Sequence, residues 1–201
     1  MPQNNIWLPF KSTTNALVPA QLDKMSNLQV VQTNGTKYNL SYNKGIYFTY
    51  NAGVTTSAAL TTTYTGLCLS NPAASTKNLS IRRVSANFDV AATTITAVGI
   101  IVGWTAGGVT VHTTPITTLQ PSFLGNTTVP QGLSDAACTL VGTPAWYTFL
   151  GQVAAAGSGS FSQDIEGAII VPPGGYVAIG TSIASPTSSL WASIEWAEVL
   201  P

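Results

Sequence analysis

Charge is what this sequence has least of. Only 14 of its 201 residues are ionic, about 7%, against the roughly 25% usual for soluble domains. Seven bases with a single adjacent pair cannot neutralise a run of phosphates, which argues against a nucleic-acid partner. A surface so poor in ions also repels its own copies weakly, so it is expected to be covered. Histidine occurs once, at His112, and no Gly-x-Ser-x-Gly elbow supplies a nucleophile for it to activate. His112 lies among Thr110, Val111, Thr113 and Thr114, where a half-exposed strand histidine is the simpler account. One histidine and two distant cysteines make no recognisable zinc set. Cys68 and Cys138 could pair, but in a chain without a secretion signal buried free thiols are favoured.

Other features are missing as well. Residues 1 to 5, MPQNN, have no basic region leading into a long apolar stretch, so no signal peptide is expected and the chain should stay where it is made. The most apolar window, Ile95 to Val111, contains three threonines and four glycines, too short and too polar for a membrane span. Helical periodicity is nearly absent. Neither a cofactor nor a metal is expected.

What the chain has in abundance is threonine, 28 residues, together with valine, isoleucine and aromatic runs broken by Gly, Pro and Asn, the signature of an all-β protein. Its zero net charge also hides a division. Residues 1 to 83 carry all seven bases and Asp23 (7 − 1 = +6), while residues 84 to 201 carry six acids and no base (−6).

The first 28 residues mix Trp7, Phe10 and Leu17 with prolines and show no alternation, as in an extended arm with one helical turn expected from Pro19 to Met25. Leu28 to Thr33 and Lys37 to Tyr42 flank Asn34-Gly35, a strong hairpin signal because a type I′ turn needs positive φ at both positions. A third strand, Ile46 to Asn51, follows. We therefore place an N-terminal arm with a β-hairpin at 1–63, serving as tether or oligomerisation element, and a β-sandwich at 64–201. Sandwich strands are expected at 64 to 70, 77 to 90, 94 to 104, 109 to 114, 145 to 152, 161 to 171, 175 to 183 and 189 to 200, with an irregular connection from Pro115 to Pro144. Eight strands favour an antiparallel jelly roll.

Local patterns refine this. In 77–90 the apolar set moves from odd positions (Leu79, Ile81) to even ones (Val84, Ala86, Phe88, Val90), which predicts a bulge near Arg82-Arg83. From Ile95 to Trp104 both faces are apolar, so the strand is either central and covered twice or meets another subunit. Val171-Pro172-Pro173-Gly174-Gly175-Tyr176 is expected as a turn. Asp164 and Glu166 fall on one strand face; paired carboxylates suit glycoside hydrolysis, but a solvent-facing acidic strand is the plainer reading. Calcium held by Asp164, Glu166 and Asp135 lacks any ligand loop of known spacing. Four Asn-x-Ser/Thr sequons, at Asn34, Asn39, Asn78 and Asn126, are expected as chance matches in a Ser/Thr-rich chain.

The run FSQDIEGAIIVPPGGYVAIGTSI (161–183), with the closing SLWASIEWAEVLP, resembles the C-terminal half of small β-sandwich virion proteins encoded by tailed bacteriophages. GLCLSNP (66–72), running on to Lys77, Asn78 and Leu79, is similar to that family's first strand and turn. The resemblance covers roughly residues 64 to 201; the arm has no counterpart. It implies a head decoration (cement) protein on the outer capsid surface of a virion, made in the host cytoplasm, often trimeric, with the major capsid protein and its own copies as partners and neither nucleic acid nor membrane. Trp7, Phe10, Lys11 and Lys24 of the arm, and Arg82 and Arg83 of the sandwich, are the expected capsid contacts. The alternative is a tail-fibre or receptor-binding domain that meets host glycans through its aromatics.

Overall fold

The computed structural model describes residues 10–11, 17–18, 46–54, 60, 62–109, 111–184 and 190–200. The expected hairpin around Asn34-Gly35 and the turn from Pro19 to Met25 lie outside these residues. The chain divides into two units, Met1–Thr36 and Lys37–Pro201. In the first, β1 (Phe10–Lys11) pairs antiparallel with β2 (Leu17–Val18), with Phe10 opposite Val18.

The second unit is all strand and turn among the described residues. Its strands are β3 (Ile46–Val54), β4 (Thr63–Ser70), β5 (Asn78–Phe88), β6 (Thr96–Trp104), β7 (His112–Pro115), β8 (Gln120–Pro121), β9 (Leu133–Thr139), β10 (Ala145–Val153), β11 (Ser160–Asp164), β12 (Ile170–Val171), β13 (Gly175–Thr181) and β14 (Leu190–Val199). They form two antiparallel sheets, in the orders β10-β6-β13-β4-β9-β7 and β11-β5-β14-β3-β8, with β12 also on β5. Setting aside the excursion between β6 and β10, and the short β12, eight strands remain. One sheet then runs first, eighth, third, sixth and the other second, seventh, fourth, fifth, which is the strand alternation of a jelly roll.

Three expectations are corrected. Ile46–Val54 falls within the expected arm, but seven of its residues pair with β14, so the sandwich begins well before Tyr64. The connection from Pro115 to Pro144 contains β8 and β9, and β9 pairs along six positions with β4. The strand expected over 161–171 is broken after Asp164, because the chain turns at Ile165–Ala168 with Glu166 at φ 52° and Ala168 N–H bonded to the Ile165 carbonyl at 2.9 Å.

The bulge in β5 falls where the apolar phase changes. Glu195 faces Arg83 and Trp196 faces Ile81, so Arg82 is the extra residue. Its carbonyl accepts from both Ile165 and Glu166 N–H groups, at 2.8 and 2.9 Å, which seats the 165–168 turn on the bulge. The turn at Pro172–Gly175 follows from its residues. Gly175 N–H bonds the Pro172 carbonyl at 2.9 Å, Pro173 fixes the second position, and Gly174 supplies φ +87° at the third, the pattern of a type II turn. Buried Asn71 secures it, its side-chain amide donating to the Val171 and Lys77 carbonyls at 2.9 and 2.8 Å.

Between the sheets Leu67, Leu69, Leu79, Ile81, Ile100, Val177, Ile194 and Trp196 form the main core, all 0% exposed. The opposite face of the β6-β13-β4 sheet carries a second cluster containing Tyr64, Cys68, Ile101, Cys138, Leu140 and Tyr176. Strand β6 is therefore covered on both faces over Val98–Ile101, while Ile95 before it and Trp104 at its end are exposed. Close approach makes this outer layer possible. Gly103 lies opposite Tyr176 in the ladder, and a β-carbon on it would collide with the Tyr176 hydroxyl. That hydroxyl donates to the Val141 carbonyl at 3.0 Å, and burial pushes the phenol pKa up.

Candidate functional site

Of the six expected contact residues, Trp7 and Lys24 lie outside the described residues, and Phe10 and Lys11 are known here as backbone positions in β1. Arg82 and Arg83 sit on β5 at its bulge. Arg82 is half-buried, its Nε without a hydrogen-bond partner among the described residues. The Arg83 side chain is 52% exposed; its Nε donates to Ser162 Oγ at 2.9 Å and lies 3.8 Å from Asp164 Oδ1. The other sandwich base, Lys77, donates to the buried Glu198 carboxylate at 3.0 Å. Lys77 and Arg83 are thus met by acids of the same chain, and of the three described sandwich bases Arg83 is the one that is largely exposed.

The carboxylate pair Asp164 and Glu166 does not share a strand face, since Asp164 ends β11 and Glu166 occupies the turn. Among the described residues no three of His, Cys, Asp and Glu converge as a metal-holding group. Cys68 and Cys138 are both free and buried, yet the fold brings them together: the Cys68 thiol is pushed well above its usual range by its hydrogen bond with Cys138 and by burial.

His112 has a partner that sequence reasoning missed. Its Nδ1 lies 2.7 Å from Asp135 Oδ2, with the Asp135 side chain 1% exposed. Strands β7 and β9 bring the two residues together through an irregular ladder with two register shifts. Burial raises the Asp135 pKa, and the hydrogen bond and charge of His112 oppose that rise. No spacing rule could have paired these residues, because they meet through a bulged crossing rather than along one element.

An apolar surface lies at the side of the sandwich where β10 and β12 approach. A groove of about 440 Å³ runs there between Tyr147 and the 168–172 segment, lined also by Val102, Trp104, Thr143 and Pro172. Trp104, Tyr147 and Ile170 are 57%, 51% and 48% exposed. The indole N–H of Trp104 donates to the Pro173 carbonyl at 2.8 Å, so the ring is fixed in place with its polar atom already satisfied. On the sheet's outer side the bulged β10 sets Trp146 and Phe149 together, ring centroids 4.8 Å apart. From Val90 to Gln163 the sequence contains one ionisable acid, Asp135, and no Lys or Arg. The strands β6 and β10 and their loops accordingly present an uncharged surface with exposed rings.

No protein family, curated protein or solved structure matches the chain.

Proposed function

We propose that the chain is a structural virion protein, a head decoration or cement protein that binds the assembled capsid and strengthens contacts between major capsid protein subunits. The observation that carries this reading is the uncharged, ring-bearing edge at Trp104, Tyr147 and Ile170. Covering such a surface removes apolar area from water without stripping ions of their hydration, the cost that weakens buried ion pairs. Anchored aromatics flanked by neutral residues are also the composition found at the centre of protein interfaces.

The jelly-roll topology agrees with the resemblance carried by the Val171–Tyr176 turn and the Trp-containing last strand. In this account the basic arm, with Lys11 and Lys24, meets acidic capsid surface, and copies of the sandwich associate as a trimer. The test is to add purified chain to undecorated heads. Saturable binding that raises the temperature at which heads release their genome supports the proposal. Absence of binding, with attachment instead to host cells or their polysaccharide, would replace it with the receptor-binding alternative.

A further inference from the structure

Beside the β7–β9 pair lies a cleft of about 520 Å³ bounded by the β7–β8 and β8–β9 connections, within the size range of small-molecule sites. Its walls include Pro115, Ile116, Leu119, Pro121 and Leu133, and among the described residues neither Lys nor Arg lines it. At one end stand His112 and Asp135. Asp135 Oδ2 is bonded to His112 Nδ1, while Asp135 Oδ1 is buried with no hydrogen-bond partner among the described residues.

A buried carboxylate with a vacant oxygen is a costly thing to keep in a core, and replacing it would ordinarily be favourable. Its presence beside a cleft asks for a role. By holding Nδ1–H, Asp135 fixes the tautomer of the neutral ring, so that Nε2 is the acceptor left for a ligand. A carboxylate behind that acceptor favours a cationic donor and disfavours an anion. The apolar walls fit a hydrocarbon body, and Val129 and Leu133 at the same cleft are 81% and 42% exposed.

We propose that this cleft is a binding site for small apolar amines, with the ammonium donating to His112 Nε2 under the field of Asp135 and the alkyl body lying against Ile116, Leu119 and Leu133. This site is independent of the capsid-binding edge. His112 is the sole histidine, so its ring proton resonances report on the cleft without assignment ambiguity. The full chain at pH 8 is titrated with hexylamine, hexanol and hexanoate, which share one alkyl body. Hexylamine should shift the His112 signals saturably, hexanol should bind about tenfold more weakly because its hydrogen bond is not charge-assisted, and hexanoate should leave them in place.

Asp135→Asn keeps an acceptor for Nδ1–H and removes the charge; it should bring hexylamine down to the affinity of hexanol. Thr117→Trp, at an exposed wall of the cleft, should abolish both. Equal shifts with hexylamine and hexanoate, no shift with any probe, or hexylamine binding undiminished in both variants would overturn the proposal. Dispersion of the remaining spectrum reports folding in each sample.

Discussion

At the scale of single residues, two buried carboxylates behave in opposite ways because their partners differ. Glu198 is satisfied: Lys77 Nζ and the backbone N–H groups of Gln131 and Gly132 all donate to it. Glu198→Ala strands those donors and is expected to lower stability by about 3 kcal/mol in chemical denaturation, the range for breaking a buried, hydrogen-bonded charge pair. Asp135 Oδ1 has no partner among the described residues, and burial raises the Asp135 pKa in the folded state above the ordinary value of 3.8. The native state therefore holds that proton more tightly than the unfolded chain does. The stabilisation tied to the protonated form is fully present below pH about 4 and is lost as pH rises through the folded value. Asp135→Asn, which stays neutral, should gain on the parent as pH is raised from 3 to 7 in urea unfolding; a constant difference across that range would contradict the assignment.

At the scale of elements, the strands that show in the sequence are those whose bulky residues alternate. Leu190, Ala192, Ile194 and Trp196 mark β14, and the phase change in β5 marks its bulge. Strand β9 was hidden because its residues after Leu133, SDAACT, are small or polar. Its inward Ser134 is satisfied by a hydroxyl bond to Thr49 at 2.8 Å rather than by apolar packing. The break between β11 and β12 was hidden for a different reason: Glu166 adopts a left-handed conformation that its residue type does not advertise. Such a φ costs a non-glycine residue roughly 1–2 kcal/mol, so Glu166→Asn should raise stability by up to about 1 kcal/mol, read as a higher denaturation midpoint. Gly103→Ala should do the reverse. The added methyl must displace the Tyr176 ring, an overpacking expected to cost about 1–3 kcal/mol, whereas an unchanged midpoint would mean that the outer cluster is loosely packed. The candidate contact edge was legible only in part: aromatic residues were conspicuous, but which of them β10's bulges expose depends on register.

At the scale of the whole molecule, the division of charge takes on a spatial meaning. The sandwich bases Lys77 and Arg83 lie near Glu198 and Asp164, and the long uncharged stretch from Val90 to Gln163 supplies β6 and β10 at the ring-bearing edge. Under the proposed function, that edge would lie against a neighbouring subunit, and the bases of the N-terminal segment, Lys11 and Lys24, would serve a second contact. The most direct measurement is cosedimentation of the purified chain with undecorated heads, for the parent, for a Trp104→Ser/Tyr147→Ser variant and for a chain lacking residues 1 to 28. The account predicts saturable binding by the parent, a loss of about tenfold or more in affinity when the two rings are removed from the centre of the contact, and loss of binding without the arm, while both variants remain folded. Undiminished binding by both variants, or none by the parent, would contradict it.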